Sequence, residues 1–414
     1  MFVPKNEQSN LFHLISGHAV STLGSSIYLL GVTLYLKDLT GSGVVLGVYH
    51  FLALLPPVLI GPFGGAIVDA FPRRRVLVTA DLSRGGIMLL LALILRLHPG
   101  AIGAIWVLTF LGGFAHALFV PAARAILPEI VPPGRLRPSN ALRTGITQLA
   151  NLAGNALGGL AYVLLGLPVL LLVNGITFVA SAIEETRIRP PGAVVTEAPQ
   201  PAVPIGRLLR DALEGLRFVL HHPGIRTLAL TGSAVQFIAP PLVISLPFVV
   251  ADVLRLPERY LGYYFALMLA GGIAGFVLLS ALNLSHQGEY RSFFGALLLF
   301  AVAAAAGGLF LTPVVLAAVL FAAGFSIGVA TVLVHTVIQR SVGSEKQGRV
   351  FAVVEMMAGS SAPLAYLAGG IVIDLVLADI RLIYLFVALL VGVVALGAGV
   401  SRRLRTFFLA ASPD

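Results

Sequence analysis

The chain has 414 residues, 58% of them apolar and only 11% charged, with a mean hydropathy of +0.97 and a net charge of +9. That balance lies outside the range of water-soluble domains and places the chain in lipid. No cysteine is present, which excludes disulfides, thiol chemistry and cysteine-ligated metals, and no soluble basic domain exists to carry nucleic-acid binding.

Residues 1–9 are polar and carry no cleavable signal pattern, so the first apolar run is expected to act as the insertion signal. Twelve such runs follow, at residues 10–36, 43–69, 74–97, 100–127, 138–165, 167–185, 224–250, 258–282, 290–311, 313–338, 347–375 and 381–402. About 20 residues of helix cross a hydrocarbon core of about 30 Å. Continuous apolarity, rather than alternation every second residue, predicts helices and excludes a barrel. The expected fold class is an all-α integral membrane protein of twelve spans in two six-helix bundles. With both termini placed in the cytoplasm, seventeen basic residues, Arg73 to Arg75 and Arg402 to Arg405 among them, fall inside and only Lys37, Arg96, Arg255, Arg259 and Arg381 fall outside. Orientation and anionic headgroups of membrane lipids thus account for most of the net charge.

Ionisable groups inside a span are costly and mark function. In chain order these are His18 in the first run, Asp81 and Arg84 in the third, His116 in the fourth and Glu355 in the eleventh. His18, His116 and Glu355 are the candidates for carrying protons; Asp81 and Arg84, three apart, are expected to form a local ion pair. A second group is uncharged. Gln148, Asn151 and Asn155 recur at helical spacing in the fifth run, Gln236 and Phe237 occupy the seventh, Ser360, Ser361 and Tyr366 the eleventh, and Tyr28 the first. An apolar wall carrying a few amides and aromatics fits a bulky amphipathic small molecule better than a sugar or a dianion.

Between the sixth and seventh runs the stretch TRIRPPGAVVTEAPQPAVP is expected to be an extended linker. It leads into an amphipathic segment in which Leu208, Leu209, Leu213, Leu216 and Leu220 oppose Arg207, Arg210, Asp211, Glu214 and Arg217, the pattern of a helix on the membrane surface. The boundaries expected from this are a bundle over 1–185, a linker over 186–222, a second bundle over 223–402 and a tail over 403–414. The flanking halves repeat one another: Gly113 with Gly324, Arg135 with Lys346, and Gly158 and Gly159 with Gly369 and Gly370 all stand 211 residues apart. Such internal repeats are a hallmark of transporters.

The stretch GPFGGAIVDAFPRRR, with Gly61, Gly65, Asp69, Arg73, Arg74 and Arg75, resembles the loop signature of the major facilitator superfamily. Gly61 and Gly65 are expected to let a neighbouring helix approach closely. The resemblance implies that Asp69 faces the start of the eleventh span, where unpaired amides favour an anion, and that the segment gates one access state. The family places an arginine directly after this Asp; here Ala70 stands there, and Arg73 or Arg124 are the residues able to substitute. Asp81 and Arg84 would support the same gate. The segment FVPAARAILPEIVPPGRLRPSNALRTGITQLANLAGNALGGLAY and the stretch DLSRG are similar to the branch that contains macrolide-efflux and enterobactin exporters. This implies a monomeric, proton-coupled exporter of amphipathic compounds in the inner membrane, working without a cofactor. A lysophospholipid flippase of the same fold and a non-transporting receptor or scaffold are the alternatives. No phosphate-binding glycine loop and no metal-ligand cluster is evident, so neither an enzyme nor a metal site is expected.

Overall fold

The structure, a computed structural model, describes residues 5–189, 205–376 and 379–409. Residues 190–204 of the expected linker and the last five residues lie outside them. Among the described residues every regular element is helical, and eleven helices are long and apolar enough to cross a membrane.

The first compact unit comprises residues 1–40 and 52–208. It contains α1 (Lys5–Thr40), the larger part of α2 (Gly43–Asp69), α3 (Arg73–Leu97), α4 (Ile102–Ala125), the one-turn α5 (Leu127–Ile130), a 3-10 turn at Pro133–Arg135 and α6 (Leu136–Thr186). α6 has 51 residues, about 75 Å at 1.5 Å per residue and over twice the hydrocarbon thickness. It breaks at Gly166, whose φ of 70° is open to glycine, two residues before Pro168. The break falls between the fifth and sixth expected runs, so α6 supplies two spans and the expected number of twelve is reached.

α1 lies along α6, and α3 packs on both α6 and α4. Small residues set the spacing: a Cβ on Gly154 of α6 would lie 2.6 Å from Ser26 Cβ, and one on Gly113 of α4 would lie 2.8 Å from Pro56 Cγ. Gly61 and Gly65 do not play this part, since an added Cβ on either would meet nothing within 4 Å. Gly64 does, against Pro121 Cγ at 3.4 Å and Ala117 O at 3.5 Å. A one-residue step turns the contact face by about 100°, which the four-residue spacing alone cannot resolve.

The second unit comprises residues 41–51 and 209–414. The first turns of α2 belong to it, with most of α7 (Ile205–His221), then α8 (Pro223–Ile238), α9 (Pro240–Phe248), a π-helical turn at Val249–Val253, α10 (Arg259–Ala281), α11 (His286–Leu309), α12 (Pro313–Ser341), α13 (Ser344–Leu375), α14 (Arg381–Val400) and α15 (Arg402–Leu409). Helix starts follow from their caps: His222 Nδ1, Ser285 Oγ and Thr312 Oγ1 accept from the amides of Ile225, Gly288 and Val315. The seventh run is expected as one helix but divides into α8 and α9, because Pro240 and Pro241 supply no amides to continue the ladder.

Two segments depart from expectation. α7 is amphipathic as anticipated, but it docks on protein. Val219 is buried, Gly215 sits 3.0 Å from Val353 Cγ2 for an added Cβ, and Glu214 pairs with Arg349 at 3.0 Å. The second bundle also does not end at residue 402. Leu404, Phe407 and Phe408 of α15 are buried in the core cluster formed with α8, α11, α12 and α14, so most of the expected tail is packed helix.

Candidate transport and coupling sites

In the first unit, the turn joining α2 to α3 carries a charged chain of contacts. Asp69 pairs with Arg73 across one helical turn at 3.1 Å; Arg73 also donates to Glu129 Oε1 at 2.7 Å and to Ala125 O at 3.0 Å. Arg73, rather than Arg124, thus partners Asp69, while Arg74 donates to Ile188 O and Arg75 and Arg124 are exposed. The guanidinium ties α2, α3 and the end of α4 into one corner.

Deeper in the same unit lies a cluster of charge. Arg84 Nη1 meets Asp81 Oδ1 at 3.1 Å, the local pair anticipated from their spacing, and Asp81 is 0% exposed. The guanidinium lies over the Phe178 ring at 3.9 Å from its centroid, a cation–π contact that only a dry, aromatic wall makes strong. Glu185 is buried beside the pair, and His18 and His116 share Arg84 as a charged neighbour. His18 stacks on Phe119 with ring centroids 5.3 Å apart, and His116 is exposed.

The polar stripe of α6 is present as well. Asn151 accepts from Ser26 Oγ at 2.8 Å and donates to Gln148 Oε1 at 3.4 Å, with Asn155 one turn further along. Its partner helix is α1, so Asn151 joins two helices of the unit while Gln148 remains exposed. Tyr28 does not belong to a wall for solute: it is buried, with its hydroxyl 3.4 Å from Thr109 Oγ1. An aromatic in a span that is apolar on every side gives no clue from sequence to which face is core.

The second unit holds a cavity of about 160 Å³ lined by Gln236, Pro240, Met268, Phe300, Ile327 and Tyr366 among others. It is apolar except for one amide and one phenol. Tyr366 is held from behind by His50, whose ring stacks on it at 4.6 Å. Phe237 and Glu355 are exposed on their helices. Ser361 bridges to Ser233 O at 3.4 Å and to Ala358 O at 2.7 Å, and Ser360 bonds Met357 O, so both hydroxyls serve backbone carbonyls.

Two features escape the sequence reading. One is Glu185, last residue before the linker stretch: Asn174, Phe178, Ser181 and Glu185 recur at helical spacing and all four are buried, and that periodicity is the signal that could have found it. The other is Asp374 of α13, which accepts from Ser42 Oγ at 2.7 Å and from the amides of Gly43 and Val44 at the start of α2. A carboxylate caps a helix that is remote in sequence, and no local motif announces it.

Known proteins are similar to this chain over most of its length. The sequence profile of the Major Facilitator Superfamily matches residues 14–366. The chain is 22% identical to macrolide efflux protein A of Streptococcus pyogenes over 378 residues, covering 89% of the chain and 90% of that protein. It is 28% identical to the multidrug efflux pump Tap of Mycolicibacterium fortuitum over 385 residues, covering 90% and 91%. Its fold is similar to the structure of a bacterial homologue of the human lysosomal transporter Spinster in an inward-facing, unoccupied conformation, with a TM-score of 0.74 at 13% identity and complete coverage of both chains. The chain belongs to the Major Facilitator Superfamily and is a multi-pass membrane transporter, not an enzyme.

Proposed function

We propose that the protein exports amphipathic small molecules across the cell membrane by alternating access, driven by protons moving the opposite way. The observation that carries this reading is the wall of the second unit's cavity, where Gln236 and Tyr366 are set among Pro240, Met268, Phe300 and Ile327. Such a surface rewards a bulky apolar body with one or two polar groups and offers nothing to a dianion or a polyol. Relatives named for macrolide, multidrug and bacilysin export support the same class of cargo. In this reading both termini are cytoplasmic, the protein works as a monomer, the corner at Asp69, Arg73 and Glu129 gates one access state, and Glu355, His18 and His116 carry protons.

The test is a panel of amphipathic compounds in proteoliposomes under an imposed pH gradient, with Glu355→Gln alongside. Uptake of at least one compound that collapses with the gradient is expected, and Glu355→Gln should weaken that dependence. Movement of lysophospholipid alone would assign the chain to the flippase alternative, and movement of nothing would remove it from active export.

A further inference from the structure

We propose that Asp81 and Glu185 form a proton-binding site, in which two buried carboxylates hold one proton between them beside Arg84. Its use in coupling rests on the proton-driven export proposed for the chain.

The charges of the cluster do not balance. Asp81 and Glu185 are each 0% exposed. One guanidinium, that of Arg84, is paired with Asp81 Oδ1 and lies between the rings of Phe178 and Phe119. Two carboxylates against one guanidinium leave a net negative charge in a dry place, and an isolated ionised carboxylate is among the most costly groups to bury. One proton removes that charge.

Hydrogen bonding is a remedy for Asp81 alone and not for Glu185. Asp81 Oδ2 and both carboxylate oxygens of Glu185 have no hydrogen-bond partner among the described residues. Ser181, one turn before Glu185, adjoins Asp81 with its own hydroxyl unpaired. A buried carboxylate that stays ionised is normally met by several donors. Here Asp81 has Arg84 and the Ser181 hydroxyl beside it, whereas neither oxygen of Glu185 has a hydrogen-bond partner among the described residues.

Among the described residues the surroundings add no second cation to Glu185. α3 offers it Asp81 and Arg84. α1, also packed on α6, presents Gly17 to Ser181, and its His13 is taken up by Glu184, which also holds Arg187. His18 of α1 and His116 of α4 neighbour Arg84, and Arg143 of α6 neighbours His18 and Arg124. Filling the site forms one O–H bond from a solvent proton and takes the three side chains from one net negative charge to none. Emptying it returns the proton to water and breaks nothing else.

The test uses the full chain in lipid and two readouts. Infrared difference spectra at pH 7 between wild type and Glu185→Gln, and between wild type and Asp81→Asn, should each show the carbonyl stretch of one protonated carboxylic acid lost, because either amide leaves one carboxylate balanced by Arg84. Both variants are near-isosteric, and their elution as single monodisperse species checks folding. A difference spectrum without that band overturns the site. In proteoliposomes loaded with ethidium, the Glu185→Gln variant should lose at least tenfold in gradient-driven movement while keeping gradient-free equilibration. Full gradient dependence in both variants overturns the coupling role. If wild type itself moves no ethidium under any gradient, the export reading fails for this probe, while the infrared result still decides the site.

Discussion

Asp374→Ala should release the start of α2 from α13. The carboxylate accepts three hydrogen bonds from Ser42, Gly43 and Val44, the first and third at 2.7 and 3.1 Å. Loss of a capping side chain costs about 0.5–2 kcal/mol, and hydrogen bonds to a charged group contribute about 1.5–3 kcal/mol each. The freed amides regain water when the contact opens, so the net loss is placed near the low end, about 2–3 kcal/mol. At about 1.4 kcal/mol per decade, the open fraction rises about 30- to 150-fold. Asp374→Asn keeps an acceptor oxygen without the charge and should cost about 1 kcal/mol, roughly fivefold. The chain has no cysteine, so Leu46→Cys supplies a single reporter at a position 0% exposed. Its alkylation by a maleimide in nanodiscs should be fastest with Asp374→Ala, slower with Asp374→Asn and slowest with the aspartate in place. Equal rates in all three would mean that packing of Gly43 and Gly47 on α13, and not the carboxylate, holds the contact.

Other outcomes follow from packing and pairing. Gly324→Ala would push a Cβ onto the backbone of Met268 and Gly272, so a loss of about 1–3 kcal/mol is expected. Gly61→Ala meets nothing and should be neutral or gain up to about 1 kcal/mol of helix propensity; thermal denaturation in detergent compares the two. Arg340→Ala strands Glu289, its partner at 3.0 Å with both side chains largely buried, and should destabilise by about 3–5 kcal/mol, with Glu289→Gln in the same chain recovering much of it. Phe407→Ala removes a buried ring of α15 and should cost about 3–5 kcal/mol, seen as earlier proteolysis after Val400.

The fold was legible because membrane spans are written as length and apolarity, and Gly166 and Pro168 even mark where α6 divides. Faces were less legible. In a water-soluble helix the polar side reports solvent, but a span is apolar toward both lipid and core, so the contrast that orients Tyr28 or selects Gly64 over Gly61 and Gly65 is missing. Polar residues restore it where they occur. The spacing of Asp81 and Arg84 foretold their pair, and the helical spacing of Gln148 and Asn151 is that of two neighbours on one face. Glu185 adjoins the linker in sequence, and only its register with Ser181 and Asn174 marks it as buried. The linkage of Asp374 to Gly43 spans 331 residues, and nothing in local pattern reports a pairing of that range.

The repeat seen in the sequence extends to a joint that residue identity conceals. In the first unit Arg73, at the start of α3, pairs with Glu129, just beyond α4. In the second unit Glu289, near the start of α11, pairs with Arg340, at the end of α12. Glu129 and Arg340 stand 211 residues apart, the offset that relates Gly113 to Gly324. The two joints therefore occupy matching places with opposite polarity. A duplicated ion pair is held by complementarity, and an exchange of both signs preserves the attraction while erasing the similarity of letters. The exchange alters the charge presented beside each joint. Arg73 gives its second amino group to Asp69, exposed at the corner, whereas Arg340 spends its second amino group on Phe408 O and locks α15 into the core. One copy keeps an acid at its corner and the other gives its arginine to packing.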